Sequence, residues 1–186
     1  KGLSNEVVVM LPADHLIEKE DLFKKALSLA EKEAKNGFIV TLEIKPGYAE
    51  TGYGYIETIP DNSSSEQGFN AYAVKKFHEK PTVEKANEFF KSNSYHWNAG
   101  IFIFKVETMA KLLEIHQPEL WEIAKTAKSD QSNISAIYEH FRSISIDYAI
   151  MEKLDSTTLK CIPCDINWND VGSWDAVSAI LSSTQL

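Results

Sequence analysis

Apolar residues in this chain recur with two periods. Val7-Val8-Val9-Met10-Leu11 is an unbroken run closed by Pro12, the pattern of a strand covered on both faces. From Glu18 to Lys35, the residues Leu22, Phe23, Ala26, Leu27, Ala30 and Ala34 return at helical spacing behind an acidic first turn, and Asn36-Gly37 stops the pattern. Phe38 to Leu42 is β-rich again. Strand, helix and strand predict a right-handed βαβ crossover with its strands parallel. Tyr53 to Ile59 and Ala71 to Phe77 alternate in strand fashion and predict a hairpin, with Pro60 to Asn70 as a long polar surface loop. Helical patterns follow at Val83 to Phe90, Val106 to Ile115 and Ile146 to Leu154, and a buried strand, Gly100 to Phe104, separates the first two. Lys128 to Asn133 reads as a loop, because it is short and flanked by helical patterns. The chain shows no internal repeats, and the expected fold is α/β: a mixed, mainly parallel sheet flanked by helices, with a β-hairpin insertion.

Composition narrows the classes of function. The 186 residues suit one domain, 1–186, and 44% hydrophobic with 25% charged residues is a globular balance that excludes intrinsic disorder. No apolar run approaches the roughly 20 residues that a membrane helix needs. Nineteen Lys and Arg against 27 Asp and Glu leave a net charge of -8, and the bases are interspersed with acids, so nucleic acid is not an expected partner. Cys161 and Cys164 are the only cysteines, a pattern expected of a reducing, cytoplasmic setting. Zinc would want two further ligands at matching spacing, so the pair reads as strand or loop residues without chemistry. No signal peptide is expected from the first residues, and Lys1 in place of Met, shortly before a strand, reads as a domain incomplete at its amino terminus. The Asn62 and Asn133 sequons are chance matches in that setting.

Several residues are candidates for chemistry. Asp14 falls just beyond the carboxyl end of the first strand, where open α/β sheets bind ligands; a helix-capping role is the alternative. Asp170 sits in Trp168-Asn169-Asp170-Val171-Gly172-Ser173-Trp174, which also makes good turn chemistry. Two such carboxylates, converging, suit a Mg2+ that keeps several waters and takes its other oxygens from substrate phosphates. Gly52 and Gly54 at a strand start allow close approach of a ligand, or mark a bulge. Glu79 is suited to accept hydrogen bonds from sugar hydroxyls and Lys80 to meet a phosphate, against the alternative of a solvated ion pair. Asn98, in Tyr95-His96-Trp97-Asn98-Ala99-Gly100, both donates and accepts. The five histidines form neither HxH nor HExxH, and no GxSxG elbow or GxxxxGK[ST] loop is present, which disfavours histidine-metal hydrolases, serine hydrolases and P-loop kinases.

Taken in order, Leu-Pro-Ala-Asp-His, Glu-Thr-Gly-Tyr-Gly-Tyr-Ile-Glu, Phe-His-Glu-Lys-Pro, Trp-Asn-Ala-Gly-Ile-Phe, Ser-Ile-Asp-Tyr-Ala-Ile-Met-Glu-Lys and Trp-Asn-Asp-Val-Gly-Ser-Trp resemble the bacterial mannose-1-phosphate guanylyltransferases, within the sugar-nucleotide pyrophosphorylases. The resemblance runs from about Val7 to Val177. It implies a Rossmann-like nucleotide-diphospho-sugar transferase fold and transfer of GMP from GTP to mannose-1-phosphate, giving GDP-mannose for polysaccharide biosynthesis. It makes Asp14 and Asp170 the Mg2+ carboxylates and catalytic with Lys80, and makes Gly54, Glu79, Lys80 and Asn98 the sugar-phosphate ligands. A homo-oligomer is compatible with it. The family's glycine-rich nucleotide loop is absent from these 186 residues, and the fragment alone is expected to be inactive. The alternatives are a non-catalytic sugar-phosphate-binding or regulatory relative, or part of a bifunctional protein named for phosphomannose isomerase. Glu43 stands where the family tends to carry a small residue, and is expected to be tolerated at a strand end.

Overall fold

The computed structural model describes residues 3–92, 94–129 and 134–183. The elements run β1 (Val7–Met10), β2 (Leu16–Ile17), α1 (Glu20–Lys35), β3 (Ile39–Ile44), β4 (Tyr55–Glu66), β5 (Phe69–His78), α2 (Val83–Ser92), β6 (Tyr95–Lys105), α3 (Val106–His116), α4 (Pro118–Ser129), α5 (Ile134–Tyr138), α6 (Ile146–Ala149), β7 (Leu159–Pro163), β8 (Trp168–Asn169) and α7 (Trp174–Ser183). A single turn of 3-10 helix, Met151–Lys153, follows α6.

Helix α1 forms where its period places it. Ala26, Leu29, Ala30 and Ala34 share the buried face, acids lead the first turn and Lys32 and Lys35 close the last, each complementing the helix dipole. Its end is a Schellman motif: Gly37 takes φ +96°, its N–H donates to the Ala34 carbonyl, and the Phe38 N–H reaches back to Glu33. Pro118 opens α4 at the position where a missing N–H costs nothing.

Six strands form one sheet in the order β1-β6-β3-β7-β5-β4. β1, β3, β7 and β4 point one way and β6 and β5 the other, so β3 and β7 are the single parallel neighbour pair and every other ladder is antiparallel. The mixed sheet is as expected, while its pairings are mostly antiparallel because β6 inserts between β1 and β3. Those two strands are parallel to each other but not adjacent. The start of β4 also pairs with the start of β6, Tyr55 opposite Trp97, which folds the sheet back on itself. One face of the sheet packs α1 over Val40, Leu42, Ile101, Ile103 and Ile162. The other packs Ile39, Ile56, Phe102 and Leu159 against α3, α6 and the 3-10 turn.

Three local expectations are corrected. β1 lies at the sheet edge with Val8 and Val9 exposed, because only β6 pairs with it among the described residues. Pro60 to Asn70 is not a long loop: β4 and β5 run through it to a two-residue turn at Gln67-Gly68, both at positive φ, the geometry that suits strand twist in a tight hairpin. A register shift between Ile59 and Ser63 absorbs the proline, and Ser64 and Glu66 tie the arm to Glu33 and Lys32 of α1. Lys128 and Ser129 end α4, and Asp130 to Asn133 lie outside the described residues.

Candidate active site

The sheet's fold-back builds a pocket. Where β4 meets β6, the Asn98 N–H donates to the Gly54 carbonyl at 2.8 Å, bringing the glycine stretch against the Trp-Asn-Ala-Gly segment. β5 ends beside them and delivers Glu79 and Lys80. His15, Gly52, Tyr53, Gly54, Glu79, Lys80, Asn98, Ala99, Gly100, Asp147, Trp168 and Asp170 line a cavity of about 210 Å³. A neighbouring groove of about 660 Å³ shares Trp168, but none of Glu79, Lys80, Asn98, Asp147 or Asp170 reaches it.

Gly54 is required by close approach. A Cβ there would lie 2.7 Å from Glu79 Oε2, 3.2 Å from Phe77 Cζ and 3.3 Å from Asn98 Cβ. Asn98 is oriented on both sides: Oδ1 accepts from the Thr41 hydroxyl at 2.8 Å and the Gly100 N–H at 3.1 Å, so Nδ2 faces Asp147 Oδ1 at 3.3 Å. Among the described residues the other amide hydrogen has no partner, which leaves it to a ligand oxygen.

The Glu79 side chain is 9% exposed, and its backbone N–H is anchored on Glu152 Oε1 at 2.9 Å. Burial first, and then the charge of Asp147, raise its carboxyl to about 7, against the pull of Lys80 at 3.9 Å. Burial raises Asp147 as well. Tyr53 is held neutral by burial and by its hydrogen bond to the Asp170 carboxylate. Three acids thus face one cavity in which Lys80 is the single Lys or Arg, an arrangement that favours hydroxyl donors and added positive charge. Lys80 itself takes φ +45°, a left-handed backbone that turns it back over the pocket after Glu79.

Asp14 does not line the cavity. It is an exposed residue in the turn before β2. β2 pairs with β8 as Leu16 opposite Asn169 and Ile17 opposite Trp168, and continuing that register sets His15 across from Asp170 with Asp14 next to it. The two carboxylates therefore come to the same end of one ladder. Asp170 is fixed in a tight turn: Asn169 Oδ1 accepts from the Val171 N–H at 2.7 Å, Asp170 Oδ1 accepts from Gly172 at 3.2 Å, and Val171 holds φ +53°. Among the described residues no group of three or more His, Cys, Asp and Glu side chains could hold a metal ion. Two carboxylates with water and ligand oxygens would be a donor set of the kind Mg2+ accepts.

Of the expected site residues, Gly54, Glu79, Lys80, Asn98 and Asp170 meet in one cavity, and Asp14 stands outside its lining. His15, Tyr53, Asp147 and Trp168 complete the wall and were not assigned from the sequence, although each lies inside one of the motifs that carry the resemblance. The two Trp of the last motif part: Trp168 lines the pocket and Trp174 is 88% exposed.

The sheet is folded over an acid-lined pocket with one lysine, which offers hydrogen-bond acceptors and one cation to a small polar ligand. The chain belongs to the nucleotidyl transferase family, which its residues 2–185 match. It is similar to the mannose-1-phosphate guanylyltransferase RfbM of Salmonella typhimurium, 38% identical over 94% of this chain and 36% of that protein. A solved structure from Thermus thermophilus, described as a mannose-1-phosphate geranyltransferase, superposes with a TM-score of 0.82 at 32% identity, over 95% of this chain and 50% of that one. A second, described as a mannose-6-phosphate isomerase from Helicobacter pylori, gives a TM-score of 0.77 at 26% identity, over 90% and 66%. The chain spans about a third of the length of the curated relatives it matches.

Proposed function

We propose that the protein transfers GMP from GTP to mannose-1-phosphate, releasing pyrophosphate and giving GDP-mannose, with this chain holding the sugar phosphate and the metal. The observation that carries the reading is the meeting of Gly54, Glu79, Lys80, Asn98 and Asp170 in one cavity from four separate stretches of sequence. Family membership and the similarity to RfbM support it. Glu79 accepts hydrogen bonds from mannose hydroxyls, Asn98 Nδ2 donates to another, and Gly54 leaves room for the ring. Lys80 meets the sugar phosphate and turns its oxygen toward the α-phosphorus of GTP; the attack expels pyrophosphate, and positioning with charge neutralisation does the catalytic work. Asp14 and Asp170 would hold Mg2+, which when bound offsets the charge of the two approaching phosphates. GTP as the donor agrees with a cytoplasmic setting. In the described residues no helix is long and apolar enough to cross a membrane.

The test is pyrophosphate release by the full-length protein with GTP and a panel of sugar-1-phosphates. Glu79→Gln keeps the shape and one acceptor, so it blurs the choice between mannose and glucose by about 1 to 3 kcal/mol. Lys80→Met keeps the stem without the charge and depresses kcat/KM for every sugar-1-phosphate alike. Reversed effects exchange the two roles; unchanged kinetics in both variants reduce the pair to a surface ion pair. Binding of mannose-1-phosphate without turnover would make the protein a sugar-phosphate-binding relative.

A further inference from the structure

The hydrogen bonds around His15 carry a second conclusion about this pocket. An indole N–H only donates, and Trp168 Nε1 lies 3.0 Å from His15 Nδ1. Nδ1 must therefore present its lone pair to Trp168, and the proton of the neutral ring sits on Nε2. The two rings meet edge to face, with centroids 5.3 Å apart and planes at 80°, which keeps the imidazole from turning over. On its other side the ring packs at Gly100, where an added Cβ would lie 3.8 Å from His15 Cε1. The ring lines the cavity with Glu79, Lys80, Asn98 and Asp170. Nε2 has no hydrogen-bond partner among the described residues, and His15 is half-buried.

We propose that His15 is a fixed hydrogen-bond donor of this pocket, its Nε2–H held by Trp168 to meet an acceptor oxygen of the bound sugar phosphate. The proposal rests on the reading of the cavity as a sugar-phosphate site. Glu79 and Asp147 offer acceptors to the ligand, while Lys80 and one Asn98 hydrogen supply donors; an N–H donor on the β2 side completes the set facing a ligand that carries both hydroxyls and phosphate oxygens. Trp168 acts through His15 and is a positioning residue. Because the lock sets a tautomer and not a charge, a side chain that places an N–H at the same distance replaces it. Gln does so, since its amide nitrogen falls where Nε2 stood, whereas the shorter Asn reaches only the Nδ1 position.

Two measurements on the full-length protein decide it. In 15N-histidine NMR at pH 8, His15 gives an unprotonated Nδ1 and a protonated Nε2, and Trp168→Phe, which keeps the aromatic wall, converts this to a mixture. In equilibrium titration with mannose-1-phosphate, His15→Asn weakens binding about tenfold or more, and His15→Gln returns it to within about threefold of the unmodified protein. Trp168→Phe weakens binding in the unmodified background, but changes little when His15 is already Gln. A proton on Nδ1, or a mixed tautomer before Trp168 is changed, overturns the lock. Full binding by His15→Asn, or no rescue by Gln in a variant that melts as the unmodified protein does, overturns the donor role. Failure of the unmodified protein to bind mannose-1-phosphate, with the tautomer as stated, removes the sugar-phosphate reading and the donor role together.

Discussion

Gly54 shows how a single missing side chain shapes this pocket. Its carbonyl takes the Asn98 N–H while its α-carbon makes room for Glu79, so a methyl group cannot be added without moving one of them. Gly54→Ala is expected to leave the fold intact and to lower kcat/KM for mannose-1-phosphate by about tenfold, the kinetic counterpart of the 1–3 kcal/mol that overpacking commonly costs. Pyrophosphate release beside a thermal melt checks it; an unchanged kcat/KM would mean that Glu79 does not hold the sugar from where it stands. At this scale much was legible in the sequence. Gly54, Glu79, Lys80, Asn98 and Asp170 carry their chemistry in their own side chains and neighbours. Asp147 and His15 did not stand out, because an acid after Ser145 reads as an ordinary helix start and a histidine shows its tautomer only once Trp168, 153 residues away, is in place.

Elements were legible where period and punctuation agree. α1 has both, and its Schellman end falls at the Asn-Gly stop. The β4–β5 arm hid its strands because a run of serines carries no hydrophobic alternation, and its turn rests on Gln67-Gly68 rather than on a stronger hairpin pair. Ile146 to Leu154 shows a helical period, yet splits into four residues of α6 and a 3-10 turn around Ile150. β3 brings in a conflict of another kind. Glu43 does lie near its end, but the carboxyl is fully buried, neither oxygen has a hydrogen bond of ordinary geometry among the described residues, and burial raises it to about 7 against the weaker pull of the nearby Cys161 thiol, which itself points at the Tyr72 carbonyl. His96 Nδ1 is 3.4 Å away, and its own pKa is lowered, first by burial and then by Lys45. Both shifts favour the uncharged forms, so the contact weakens as a salt bridge. The sign of the linkage follows. Below pH 4.5 folded and unfolded chains both hold the Glu43 proton; between 4.5 and about 7 only the unfolded chain releases it, so folding is progressively penalised, and above 7 the penalty levels at roughly 3 kcal/mol. Glu43→Gln removes that term. It is expected to melt about 5–10 °C above the unmodified protein at pH 8, with the gap closing toward pH 5. Identical pH slopes in the two proteins would show that Glu43 does not titrate in this window.

For the molecule as a whole, the site depends on contacts between opposite ends of the chain. Lys19 pairs with Asp165 at 2.7 Å, Asn167 donates to Glu18 at 2.9 Å, the Lys19 N–H reaches the Ile166 carbonyl, and β2 zips onto β8 beside them. No local pattern announces a pairing of two-residue strands separated by about 150 positions, since each is too short to show a period. That ladder is what brings Asp14 and Asp170 to one end, and it makes their coupling testable. If both carboxylates hold the same ion, removing either abolishes most of what the ion contributes, and removing the second finds little left to lose. Asp14→Asn and Asp170→Asn in the full-length protein are each expected to lower kcat about a hundredfold or more, and the double variant to fall no further than the weaker single one. Mn2+ binding followed by electron paramagnetic resonance reports the same site without turnover, and should weaken in each variant. Losses that multiply to about ten-thousandfold would assign the two aspartates to separate tasks, while a near-normal rate and full Mn2+ binding in Asp14→Asn would leave Asp170 to hold the cation without it, consistent with Asp14 standing outside the cavity lining.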